Sequence, residues 1–239
     1  MASVCACGEY FEINDEGELC LTPGTMGLRE TVQFDEPGAH QFVTADYPWL
    51  ARVRVRVQGA GGGSAGAKAN QNELISRPGG GGGGYSESLL DASALGAVES
   101  VVVGTGGAGG AGNSPGASGG GSSFGGVVTA MGGRGGGDGM VSDTTFTTSN
   151  GVSPLGLGTG QITNAGGPGE GSLRLEMRGL SGKGGDSTLG FGGYGRSTSG
   201  PGTEPSGAGG GAGGAFSADG NSYNGAAGGD GLVIVELYG

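Results

Sequence analysis

Sixty-five of the 239 residues are glycine, and they come in sprays that begin where short β-type runs end: Arg52 to Gln58 runs into Gly59, Val101 to Val103 into Gly104, and Val127 to Ala130 into Gly132. Glycine loses more conformational freedom on ordering than any other residue, and fixing each backbone unit costs roughly 1–2 kcal/mol. Sprays with no side chains to bury need backbone hydrogen bonds, neighbouring strands or other subunits to offset that cost. They are therefore either disordered or packed against one another.

The apolar runs that flank the sprays argue for order. The chain is acidic, with 22 Asp plus Glu against 11 Lys plus Arg, yet charged residues are only 14% of it, too few for a self-repelling polyelectrolyte. Apolar residues make up 34%, many of them alanine, so any side-chain core is small, and a homo-oligomer, most readily a trimer, is expected to supply the missing burial. A net charge of −11 opposes phosphate backbones, and the single Arg-Gly-Gly at Arg134 to Gly136 makes no basic stripe, so nucleic acid is not an expected partner. No run approaches the ~18 apolar residues of a membrane span. Met1 to Gly8 has neither a basic start nor an apolar stretch, and the chain is expected to stay in the cytoplasm where it is made unless a larger assembly carries it out.

Residues 1–31 read as a short N-terminal attachment module. In it Phe11, Ile13, Leu19 and Leu21 alternate with polar residues across the turn Asn14 to Gly17, as in a hairpin. Residues 32–239 read as a glycine-rich β domain. Val32 and Phe34 precede the turn Glu36-Pro37-Gly38, and Phe42 and Val43 follow it. Arg52 to Val57 alternates strictly, with the arginines on one face and Val53, Val55 and Val57 on the other. The arginine face reads as solvated or paired with the surplus carboxylates; a ligand-binding face is the other reading. Tyr85 to Leu90, Val98 to Val103, Phe124 to Ala130 and Leu232 to Leu237 are further strands. The last can be buried only by returning to the earlier ones, which predicts one closed antiparallel domain. Ser88 to Ala97 and Leu173 to Arg178 are the two weak helix candidates.

The fold class expected is thus all-β: a small antiparallel β-sandwich or sheet with long glycine-rich loops. Collagen is excluded, because Gly104 to Gly121 keeps no unbroken three-residue period with abundant proline. A flexible linker stays open for Ser197 to Gly214. The alternative is a bundle of extended, left-handed helices of the polyproline II type, which have no internal hydrogen bonds. Without Cβ atoms, such tracts can approach closely and bond backbone to backbone.

Several patterns imitate catalytic motifs. Gly104, Gly106 and Gly109 match G-x-G-x-x-G, but at this glycine content chance supplies about five such matches, and neither a helix nor a suitably placed acidic residue follows. Gly121, Ser123 and Gly125 match the nucleophile elbow, but no histidine lies downstream to serve as base. Gly179 to Lys183 lacks the P-loop register, and Gly132 to Gly139 fits a calcium nonapeptide only loosely. The carboxylates are scattered among turns, so neither an enzyme nor a bound cofactor is expected. Cys5, Cys7 and Cys20 could meet His40 in a zinc tetrahedron. Free or buried thiols, or a bridge from Cys20 to Cys5 or Cys7, are the competing readings.

The stretch Gly38 to Ala67 joins a Pro-Gly turn, an aromatic strand, Tyr47-Pro48-Trp49-Leu50, Val-x-Val-x-Val and a glycine-alanine tract. It resembles the opening of the glycine-rich domain of bacteriophage tail proteins, above all glycine-rich minor tail proteins of phages that infect actinobacteria. Gly83 to Glu87, Val103 to Gly107, Gly121 to Gly125 and Gly231 to Val235 continue the same order of blocks, so the resemblance spans about residues 32–239. It implies a virion structural protein at the distal tail, assembled in the host cytoplasm beside other tail subunits and often an adhesin or a cap. Exposed ring tips such as Phe191, Tyr194, Phe216 and Tyr223 would then touch a host cell-envelope glycan; filling gaps between glycine tracts is the other role open to them. A purely structural component, a capsid decoration or tail-hub filler, is the alternative.

Overall fold

A computed structural model describes residues 11–22 and 27–239. The described chain is all-β, with two single-turn 3₁₀ segments. In chain order the strands are β1 (Phe11–Ile13), β2 (Leu19–Leu21), β3 (Leu28–Phe34), β4 (Gly38–Val43), β5 (Arg52–Gln58), β6 (Ala67–Lys68), β7 (Leu74–Ser76), β8 (Tyr85–Asp91), β9 (Val98–Val103), β10 (Ser122–Phe124) and β11 (Val128–Ala130). They continue with β12 (Thr147–Ser149), β13 (Ile162–Asn164), β14 (Ser172–Leu175), β15 (Arg178–Leu180), β16 (Gly190–Phe191), β17 (Ser206–Gly207), β18 (Phe216–Ala218), β19 (Ser222–Tyr223) and β20 (Leu232–Tyr238).

The expected hairpin forms, with Phe11 opposite Leu21 and Ile13 opposite Leu19. Two antiparallel sheets, in the orders β13-β8-β5-β20-β3 and β11-β10-β9-β4, make the expected sandwich. Strict alternation selects one buried face per strand. Val57, Val55 and Val53 accordingly stand opposite Val233, Val235 and Leu237, and all six are buried against Phe42, Val101 and Phe124 of the second sheet. The Tyr47-Pro48-Trp49-Leu50 segment closes this core: Tyr47 stacks on Phe42 at 5.3 Å, and Arg29 lies over the Trp49 ring at 4.1 Å. β3 begins at Leu28 and pairs along β20, so the sheet already includes residues just ahead of position 32.

The glycine tracts leave the sandwich side by side and pack into a bundle. Residues 59–66 lie in its interior, and their N–H groups address three neighbours in strict rotation. Gly59 and Gly62 donate to Gly84 and Gly81; Ala60, Gly63 and Gly66 donate to Gly120, Ala117 and Ser114; Gly61 and Ser64 donate to Gly229 and Ala226. All three neighbours run antiparallel. The carbonyls address further tracts in the same rhythm: Gly61 and Ser64 accept from Gly107 and Gly110, Ala60 and Gly63 from Gly133 and Gly136, and Gly62 from Ala212. A three-residue rotation with every bond leaving the tract is the signature of the polyproline II helix. Residues 79–84 repeat it, with Gly79 and Gly82 donating to Glu170 and Gly167, Gly80 and Gly83 to Ala212 and Gly209, and Gly81 and Gly84 to Arg134 and Met131.

Within the single chain, backbone hydrogen bonds between tracts, each worth about 1 kcal/mol net, offset part of the cost of ordering the glycines. Residues 209–215 are a third interior tract, fully buried, so the linker reading of Ser197 to Gly214 is corrected. In the outer tracts every third residue faces solvent: Thr105, Ala108 and Ala111; Met131, Arg134 and Gly137; Asn224, Ala227 and Asp230. Gln58 joins sandwich to bundle, its buried amide donating to the Gly83 and Gly84 carbonyls at 2.9 and 2.8 Å.

Neither helix candidate is an α-helix, although Ala92–Ala94 within the first forms a single 3₁₀ turn. Residues 88–91 complete β8, held by β5 along its whole length, and Leu173 to Arg178 folds as the β14–β15 hairpin. Tertiary pairing outweighs local propensity here. Phe124 to Ala130 is a tight hairpin and not one strand, turning on Gly125 and Gly126, whose φ values of 56° and 67° favour glycine.

Candidate functional site

The outer face of the sandwich carries the arginine row, and it is paired. Arg54 Nε donates to Glu87 Oε1 at 2.8 Å, while Arg54 and Arg56 reach Glu236 at 3.6 and 3.3 Å. The Tyr85 hydroxyl donates to the other Glu87 oxygen at 2.6 Å, and burial together with that carboxylate raises the Tyr85 pKa. The hydrogen bond from Arg54 holds the Glu87 carboxyl below its ordinary range, against a smaller upward push from burial. Because the folded-state pKa is depressed, this stabilisation is fully present above the unfolded value near ~4.3 and is lost as pH falls through the folded value. Arg54 is substantially exposed, so Arg54→Ser should cost less than about 1 kcal/mol at neutral pH and remove part of the acid-linked loss of stability. Chemical denaturation at neutral and acid pH checks both.

The four ring positions named from sequence do not converge. Phe191 and Tyr194 are 71% and 62% exposed; three residues apart on an outer tract, they share one side of the bundle wall. Arg196 stands 5.5 Å from the Tyr194 ring. Phe216 is only 3% exposed and pairs with Ser76 across β18–β7. Its ring lies so close to Gly179 that a Cβ there would sit 3.2 Å from it. It fills the core between layers, which corrects the surface reading. Tyr223 is half-buried opposite Ala67.

Of the zinc candidates, Cys5 and Cys7 lie outside the described residues. Cys20 is half-buried in β2 opposite Glu12. His40 bonds the Glu36 carbonyl through Nε2 at 2.7 Å and packs its ring 5.5 Å from Phe34 at the β3–β4 turn. Among the described residues no three His, Cys, Asp or Glu side chains gather in a metal-binding cluster. Of the imitated motifs, residues 104–110 are a bundle tract, Ser123 sits in β10, and Lys183 pairs with Asp186 at 2.8 Å one helical turn along its tract.

What the structure does gather lies at the far end of the bundle. There the ridge formed by residues 139–142 separates two clefts of about 420 and 390 Å³. The first is lined by Lys68, Asn70, Asn113, Asp138 and Ser142 above Arg77. The second is lined by Asp143, Thr145, residues 147–150 and Arg174. Both arginines are buried, and both are spent on the ridge. Arg77 donates to the carbonyls of Gly66, Asp138 and Met140 at 2.7–2.8 Å and to Asn113 Oδ1 at 2.9 Å. Arg174 donates to the carbonyls of Thr145, Leu74 and Val141 at 2.6–2.9 Å and to Thr145 Oγ1 at 3.2 Å.

A guanidinium offers five donors in one rigid plane, so each arginine ties segments from separate parts of the chain to one geometry. Burial lowers the Arg77 pKa, yet its bonds all go to neutral acceptors. The ridge crest, Val141, stands exposed, flanked by amides, hydroxyls, an ammonium and carboxylates. That set is equipped to exchange hydrogen bonds with a polyhydroxylated ligand and to pack an apolar side against a sugar face. The sequence reading missed both arginines, since their partners lie as far as 100 residues away. The period-two alternation Leu173-Arg174-Leu175 was the available local signal.

Compared with known proteins, residues 38–238 match the family model described as a glycine-rich domain. No curated protein matches the chain.

Proposed function

The chain belongs to the glycine-rich domain family, and we propose that within it this protein is a display subunit: a minor tail protein of a bacteriophage, set at the distal tail, whose bundle holds the far-end clefts toward a host cell-envelope glycan. The observation that carries the reading is the pairing of a hydrogen-bonded scaffold with clefts fixed by buried arginines at its end. A tract of eight residues spans roughly 25 Å at polyproline II rise, and in residues 59–66 seven N–H groups bond to neighbouring tracts. Rigid support of this kind lowers the ordering cost of binding. The phage assignment is supported by the order of strand and glycine blocks, and other tail subunits are its natural partners. The β1–β2 hairpin leaves Phe11, Ile13, Leu19 and Leu21 exposed, and two strands alone are marginal in water, which suits it to attachment.

Two measurements test this. Electron microscopy of antibody-labelled virions should place the protein at the tail tip; label on the capsid or along the shaft would favour the purely structural alternative. Purified protein should bind host envelope polysaccharide, and the Lys68→Ala, Asn150→Ala double variant should lose at least about tenfold in affinity, worth ~1.4 kcal/mol. The Phe191→Ala, Tyr194→Ala variant should keep it. The opposite pattern would move the site to the bundle wall, and absence of any binding would remove the receptor role.

A further inference from the structure

The three-stranded sheet β12-β14-β15 lies across the far end with two unlike faces. Its inner face carries Ser172, Arg174 and Gly179: the Ser172 hydroxyl donates to the Ser76 carbonyl at 2.9 Å, and Gly179 lies against the Phe216 ring. On the outer face Leu173 stands opposite both Thr148 and Leu180. Leu175 follows on the same side, and Phe146 extends the row from the start of β12. These apolar residues, with Met177 in the turn, are 36–70% exposed. Scattered apolar residues are ordinary on a surface. A contiguous set on one small sheet, with no strand on the outer edge of β12 or β15 among the described residues, is the mark of an interaction face.

We propose that this face binds a second copy of the chain about a two-fold axis. Charge points to that occupant. The β14–β15 turn sets Glu176 and Arg178 on either side of Met177, and neither has an ion-pair partner among the described residues. A two-fold contact uses the same patch on both copies, and an axis beside Met177 sets Glu176 of each copy against Arg178 of the other with the leucines between them. Five large apolar side chains exposed together on one small sheet form the apolar centre of such a patch, with the charged turn and Thr148 at its rim. The trimer expected from composition rested on glycine ordering; here association is argued from a surface. The patch meets the second cleft at Thr148, so the mass of the assembly, and not glycan affinity, tests this proposal.

Sedimentation of the full chain at micromolar concentration tests it. The expected result is a dimer. Leu175→Asp should weaken dimerisation at least about tenfold, with a thermal transition unchanged when both proteins are diluted to monomer, because Leu175 is exposed in the single chain. Glu176→Lys and Arg178→Glu should each weaken it, and the two together should restore it, an outcome that a merely structural role for the turn does not produce. A monomer or a trimer in the starting protein, an unchanged mass for Leu175→Asp, or a combined exchange no better than its parts would overturn the proposal.

Discussion

Gly62→Val is expected to leave no soluble folded protein. A Cβ at this position would overlap the backbone of Arg134, and a branched side chain would press further into the same strand of backbone. Overpacking in a side-chain core usually costs about 1–3 kcal/mol because neighbours rotate aside; here the neighbour is a main chain that cannot. Gly62 also donates to Gly81 and accepts from Ala212, so displacing it breaks the rotation shared by three tracts, each lost bond leaving buried groups unpaired at ~1–3 kcal/mol. That exceeds the ~5–15 kcal/mol stability of a domain once several bonds fail together. Gly137→Val, at an exposed position where a Cβ meets nothing, is the control and should express normally. Soluble yield and amide exchange of the two variants decide: a folded Gly62→Val protein with slow-exchanging tract amides would show the bundle to be far softer than its geometry.

Val55→Asp should be as severe for a different reason. Val55 is fully buried opposite Val235 and Ser88, with no basic side chain on its face of the sheet. The carboxyl must either stay neutral, at the cost of a large pKa shift, or carry an unpaired charge. Removing the valine from the packed core adds a further penalty, and changes of this kind reach about 4–5 kcal/mol or more. Its sequence neighbour Arg54, on the opposite face, should tolerate substitution. Equal damage at both positions, read from the denaturation midpoint, would mean that the arginine face is as buried as the valine face.

That contrast was legible in the sequence, because period-two alternation is a direct consequence of pleating and the final strand had no other place to go. The packing of the tracts was legible too, from the mismatch between glycine content and the strands that fix the tract ends. The three-residue rhythm was harder to see. It is present in Gly106 to Ala111, in Met131 to Gly137 and in Lys183 to Asp186, but every turn between tracts resets it, so no single period runs through the chain. The far-end clefts were out of reach. Arg77 and Arg174 bond carbonyls, which every residue possesses, so side-chain identity at the partner positions carries no signal. Phe216 was misplaced for a related reason: an aromatic among glycines reads as an exposed tip when the layer that covers it, β14–β15, is itself read as a helix.

The rotation of bonds around each tract also restricts how such a molecule can change length. Inserting one residue into 79–84 would turn everything beyond it by a third of a revolution, so that the N–H now meeting Arg134 would face another tract or solvent. Lengthening is therefore quantised: additions come in threes, and adjoining tracts must grow in step to keep their partners. Outward third positions escape that rule and are free to vary singly. A lineage of such proteins should show gaps in multiples of three within tracts and unrestricted lengths in the turns, as a ruler whose divisions are set by the helix and whose markings alone are open to revision.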